Sequence, residues 1–419
     1  MQARPPAGAP RIDSAQREMP AISLDPTRTL RPRRPLRPLG LAAMAALCAA
    51  IAPLTAQASS IPAGRSPRAA HTAAAGRWRV VHRLRTGREF HTAALLPGGQ
   101  VLVVGGYGPP AGFLTSAERF DPKLQRWHNA FGTQVARFAH TATLLLNGKV
   151  LVTAGVNLDN GFLAETELYD PTADSWTRAG SLAIARDNHT ATALIDGRVL
   201  VAGGLSGGRP AKTLTDAELF DPVTSRWSVV AKMRVARYHH TATLLKDGRV
   251  LVAGGENTAE HFTRSAELYD PRANTWKHAA PMHDARANHT ATLLPDGRVL
   301  VAGGGARAPG FTARAEIYDP ATNRWVKARQ MRTARGFHTA SLLVDGRVMV
   351  AGGFGNSSAL ASTEIYDPKT GRWSSAGRLR TARAHHTATV LPSGAVLVAG
   401  GARYNGAVLS SAEIYAPGS

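Results

Sequence analysis

The sequence predicts an all-β chain folded as a seven-bladed β-propeller of four-stranded antiparallel blades. Three observations predict it. A Trp is followed thirteen residues later by a His seven times, at Trp78/His91, Trp127/His140, Trp176/His189, Trp227/His240, Trp276/His289, Trp325/His338 and Trp373/His386. Each His stands fourteen residues before a Gly-Gly, with Ala154-Gly155 the one departure. A Glu precedes its Trp by nine residues six times, from Glu118 to Glu364. A fixed period near fifty residues is the mark of a repeat architecture, whose unit cannot bury its own apolar face alone.

One unit justifies the strands. His289-Thr-Ala-Thr-Leu-Leu reads as strand a and Asp296-Gly297 as a tight hairpin turn with positive φ at both positions. Arg298-Val-Leu-Val-Ala is strand b, an unbroken apolar run buried on both faces. Gly303-Gly304 ends it and a loop follows. Ala315-Glu-Ile-Tyr318 is strand c, Asp319-Pro320 a turn, and Asn323-Arg-Trp-Val326 opens strand d. Four such strands repeated radially make a propeller blade. The last unit, begun at His386, ends before any strand d, and Trp78 precedes the first His. The N-terminal strand is therefore expected to complete the last blade and remove its open edge.

The Gly-Gly after strand b, the Tyr-Asp-Pro turn and the Trp at fixed spacing resemble the kelch-repeat family from Gly76 to Pro417. The resemblance implies a propeller of the kind at the centre of galactose oxidase. It also implies ligand binding on the face that carries the b–c loops and d–a crossings. Galactose oxidase holds copper through a Tyr crosslinked to a Cys. Here the only Cys, Cys48, lies in the expected leader, so no such cofactor is expected. Sialic acid mutarotases, also kelch proteins, make a sugar-epimerising enzyme the alternative reading.

Residues 1–58 read as a secretory signal with a long basic leader, and 59–75 as a linker to a propeller over 76–419. Arg31, Arg33, Arg34 and Arg37 precede sixteen uncharged residues, Leu39–Leu54, and Ala56-Gln57-Ala58 resembles a cleavage site. Sixteen residues fall short of a membrane span of about twenty. The expectation is a secreted or periplasmic protein without a permanent anchor, disulfide, metal or other cofactor, and monomeric. Formal charge is +21, with 50 Lys and Arg against 29 Asp and Glu. Such charge serves solubility or a polyanion-binding surface scaffold; no basic helix interleaved with aromatics supports a nucleic-acid partner.

Every length change falls between the Gly-Gly and the Glu, so the face bearing the b–c loops varies while the a–b turns are monotonous. Tyr107, Asp159, Glu256, His261, Arg307 and Tyr404 lie in those loops. An Arg stands three residues before every His, and the two residues between differ in every blade. They read Glu89-Phe90, Phe138-Ala139, Asp187-Asn188, Tyr238-His239, Ala287-Asn288, Gly336-Phe337 and Ala384-His385. A residue present in every blade serves every blade, so the repeated His, Arg, Glu and Trp read as scaffold, the Arg and Glu as partners.

The candidate ligand-binding residues are the variable ones at the channel mouth: Glu89, Phe90, Phe138, Asp187, Asn188, Tyr238, His239, Asn288, Phe337 and His385. Their carboxylates and imidazoles suit acid–base chemistry or a metal if Glu89, Asp187, His239 and His385 converge. Their aromatics suit stacking on sugars, anchoring a peptide or plugging the channel. Phe113, Phe162, Phe262 and Phe311 recur in the b–c loops and are expected to pack on the next blade. No catalytic residue is assigned. The expected partner is a carbohydrate, peptide or protein.

Overall fold

Seven four-stranded antiparallel sheets surround one axis in the computed structural model, which describes residues 76–418 except 208–210, 258–260 and 307–309. The expected signal and linker, and Arg307, lie outside the described residues. Blade 1 runs outward through Thr92–Leu95, Val101–Val104, Ala117–Asp121 and Arg126–Ala130. The a strands of blades 2 to 7 begin at Thr141, Thr190, Thr241, Thr290, Thr339 and Thr387, and neighbouring a strands pack side by side around the axis. Blade 7 takes its fourth strand from the N-terminus. Arg77–Val81 pairs antiparallel with Ala412–Ala416, Trp78 opposite Tyr415. Among the described residues no helix is long and apolar enough to cross a membrane.

The b strands are wholly buried because each has a sheet neighbour on both sides and a blade above and below. Val299–Ala302 is typical. Between blades the core is Trp against aliphatics: Trp127 of blade 1 packs with Leu391, Leu397 and Ile414 of blade 7. Five of the Trp indoles also donate to a backbone carbonyl of the preceding crossing, as Trp276 does to Ala231 at 2.7 Å. Trp227 and Trp78 donate instead to Thr166 and Thr363, whose blades carry a bulge between strands c and d.

Buried ion pairs lock each crossing to its blade. In all seven units the Arg is fully buried and donates from Nη2 to a Glu on strand c at 2.7–3.0 Å. In blade 4, Arg237 Nη1 also donates to the carbonyls of Gly254 and Ser265, and Glu267 accepts the backbone N–H groups of Arg234 and Val235. The carboxylate is thus surrounded by donors and the guanidinium by acceptors, the condition under which a buried pair is tolerable.

The seven His form a second belt. Each Nε2 shares a hydrogen bond of 2.8–3.1 Å with the first Thr of the preceding blade, and His91 closes the circle on Thr387 of blade 7. Burial, and then the neighbouring guanidiniums, hold their pKa values far below the ordinary one, to about 3 for His189 and His289. They are neutral linkers between blades.

The a–b turn differs from the expected one. Only its Gly has positive φ, 93° at Gly297, and Leu294 N–H donates to Arg298 across three loop residues. Pro295 can then fill the first corner, where a fixed φ near −65° fits, and Asp296 accepts from the Arg298 N–H. A two-residue turn would have excluded that proline.

Two features favour glycine at the first position of the Gly-Gly. Gly303 has φ 67°, and a Cβ there would lie 2.5 Å from the Arg335 carbonyl oxygen of the next blade. Blade 2 places Ala154 at this position with φ 57°, buried against Leu182 and Val201. Left-handed backbone costs a non-glycine residue about 1–2 kcal/mol. Ala154→Gly is therefore expected to stabilise the protein by about 1 kcal/mol, read by urea denaturation; a loss of stability would show that the methyl contributes more than the strain.

Candidate functional site

The residue before each His adopts left-handed backbone in every blade, and none of the seven is Gly. Phe90, Ala139, Asn188, His239, Asn288, Phe337 and His385 have φ between 48° and 56°. Their backbones join head to tail. Each N–H donates to the carbonyl of its counterpart one blade back at 3.0–3.4 Å, and Phe90 closes the ring on His385. The residue before each of them pairs with the residue just after the Gly-Gly, as Glu89 does with Tyr107 and Tyr238 with Glu256. The crossing is thus held by the b–c loop on one side and by the ring on the other.

The b–c segments carry more structure than a loop. Tyr107–Gly108 pairs with Gly112–Phe113, and Val156–Asn157 with Gly161–Phe162, as short ribbons. Their recurrent Phe residues lean on the next blade where contacts are seen: Phe113 lies 5.2 Å from Phe138 and Phe311 6.1 Å from Phe337, edge to face.

A cavity of about 290 Å³ opens on the axis. Ala139, Asn188, His239, Asn288 and Phe337 line it, with the belt residues His140, His189, His240, His289 and His338. The blade 7 and blade 1 sector is filled instead. The Phe90 ring stacks on His385 at 3.8 Å, and Phe138 meets Phe90 edge-on at 5.7 Å. Phe337 and Phe354 stand edge-on to His385 at 4.7 and 5.1 Å, and Tyr404 extends the row from Phe354. One side of the mouth is an aromatic arc and the other is polar.

The carboxylates and imidazoles divide between those sides. His385 Nδ1 lies 3.1 Å from Glu89 Oε2, and burial lowers the imidazole's pKa. His239 Nδ1 lies 2.8 Å from Glu256 Oε1, and its Nε2 lies 3.1 Å from Asn188 Oδ1. Asp187 is 3 % exposed and its Oδ1 has no partner. Burial raises its pKa to about 7 against a hydrogen bond from Asn188. The convergence of Glu89, Asp187, His239 and His385 on one centre does not occur. Each His takes its own Glu, and Asp187 is buried and pairs with neither His. Among the described residues no group of three or more His, Cys, Asp or Glu could hold a metal ion.

Two contributors escaped the sequence reading. Glu256 was visible only as a loop residue, and Phe354 not at all. Both occupy the position after the Gly-Gly, which differs in every blade just as the two residues before each His do.

The seven blades and their repeated belts define a propeller of galactose oxidase-like fold. The family model for the KLHDC2/KLHL20/DRC7 Kelch-repeats domain matches residues 188–401, half of the chain, and a Kelch motif matches 90–130. The chain belongs to the kelch-repeat family. No curated protein matches it. Among solved structures it is similar to a fungal alcohol oxidase of the AA5 family in complex with copper, with a TM-score of 0.69 and 20% identity over 82% of this chain and 77% of that one. It is also similar to YjhT, with a TM-score of 0.57 and 15% identity over 70% of this chain and 99% of that one. At these identities the likeness is one of fold.

Asp187 gives the site a pH signature. Its folded pKa of about 7 exceeds the ordinary 3.8, so the native protein keeps a proton that the unfolded chain releases. That stabilisation is complete below about pH 4 and is lost as pH rises through about 7. Asp187→Asn keeps the shape and removes the titration. Its melting temperature should match the parent's near pH 4 and exceed it by several degrees at pH 8, since the seven belt His respond alike in both proteins.

Proposed function

We propose that this chain is a binding protein that takes a carbohydrate or a peptide segment of a partner at the loop-face mouth of its channel. One observation carries the reading: a closed ring of seven left-handed non-glycine residues around an open cavity. Strained backbone of this kind persists where the surrounding structure over-determines it, and it collects at functional sites. The kelch scaffold, common in protein-binding modules, adds general support. Asn188, His239 and Asn288 supply hydrogen bonds, and Phe337 with the arc beside it supplies an apolar wall. About 290 Å³ is at the small end of ligand pockets and suits one sugar ring or a peptide's end. The proposed setting is outside the cytoplasm, following the basic leader and apolar stretch.

The His239–Glu256 pair keeps the sugar-processing enzyme as a second reading, since an imidazole oriented by a carboxylate at a cavity rim can move protons. Glycan and peptide arrays on the purified protein, followed by calorimetry, separate the two. Ala139 holds the same backbone in blade 2, so Asn288→Ala is tolerated by the fold. It is expected to weaken binding at least tenfold, about 1.4 kcal/mol, with little change in melting temperature. Unchanged affinity in both Asn288→Ala and His239→Ala would overturn the site. Sugar turnover lost in His239→Ala and Glu256→Gln would favour the enzyme.

A further inference from the structure

The face opposite the mouth looks uniform in sequence, yet it carries an exposed apolar collar. The second residue after each a strand lies over the turn glycine of the next blade. Pro97, Leu146, Ile195, Pro295, Val344 and Pro392 each come within 3.0–3.3 Å of where a Cβ on that glycine would stand. The seventh position is Lys246, whose stem lies over Gly297 and whose Nζ donates to the Pro295 carbonyl. The a strands surround the axis, so these turns ring the lower end of the channel. Leu146, Ile195 and Val344 are 82, 65 and 76 % exposed. Just inside, Leu144 and Leu342 are also exposed. Scattered surface apolar residues are ordinary, but a ring of six broken only at Lys246 marks a contact surface.

Charge names the partner. Outside the collar, blades 3 to 6 carry Asp196–Arg198, Asp247–Arg249, Asp296–Arg298 and Asp345–Arg347, paired at 2.6–2.7 Å and partly exposed. These four pairs set both signs around an apolar centre, so a second copy of the face can meet each of their charges with its opposite. Exposed pairs of this kind contribute little within the chain and can exchange partners cheaply. The outer d strands are the opposite case, with ten Lys or Arg and no Asp or Glu, so edge-to-edge approach is repelled. An anionic lipid surface fits poorly, because the c–d turns at the same end add Asp121, Asp170, Asp221, Asp270, Asp319 and Asp367.

We propose that two copies of this chain pack collar to collar through the a–b turn face. Both channel mouths then point outward, and a ligand presented in multiple copies is bound with avidity. The proposal stands whatever the mouth binds.

Sedimentation velocity across a concentration series tests it. The protein should show a monomer–dimer equilibrium, weakened at least tenfold by Ile195→Lys combined with Val344→Lys. Lys246 already occupies the same position in blade 4, so these substitutions should leave the melting temperature unchanged. Asn288→Ala, at the other face, should dimerise as the parent does. A parent that stays monomeric throughout, or a dimer indifferent to the paired lysines, overturns the proposal. So does a monomer that co-sediments with phosphatidylcholine–phosphatidylglycerol vesicles and loses this with the same lysines, which would assign the collar to lipid.

Discussion

A guanidinium without water must find acceptors in fixed directions, and seven buried Arg residues impose that demand on the whole ring. Each is satisfied by a strand c Glu and two backbone carbonyls of its own blade, and the Glu in turn accepts N–H groups of the crossing. The pair therefore ties together the crossing, the end of strand b and strand c. Three residues later the chain must enter strand a, and it does so through one left-handed residue. The position of the channel mouth is a consequence of where the Arg is held.

This division of labour separates what may vary from what may not. The Arg, the His and the Gly-Gly carry the geometry. The two residues between Arg and His, and the one after the Gly-Gly, meet the axis or the loops and can change freely as long as their backbone follows. Ala139, Asn188 and Phe337 hold the same φ within a few degrees while differing in size and polarity. A polar side and an aromatic side can thus be written onto one symmetric frame.

Much of the fold was legible because the period of the Trp, His and Glu is dictated by strand lengths, and the closure by Trp78 follows from counting. Arg237 and Glu267 could be matched as partners because a buried charge needs one. The left-handed ring was not legible, since Phe90 and Ala139 are residue types that rarely adopt that backbone and the inter-blade bonds enforce it. The separation of Glu89 from Asp187 was hidden because one pairs with His385 of the adjacent blade and the other is buried. The collar was missed for the opposite reason. Asp-Gly turns looked monotonous, and the apolar residue before them signals nothing until the turns are drawn into a circle.

The buried Arg–Glu pair, and not generic β packing, fixes the crossing. A double-mutant cycle on Arg237 and Glu267 tests it directly, using Arg237→Met, Glu267→Gln and the pair together, each measured by denaturant unfolding. The account predicts that each single substitution costs about 3–5 kcal/mol by leaving a buried group uncompensated, and that the double costs clearly less than their sum. Additive losses, or single losses near those of a surface ion pair, would contradict it.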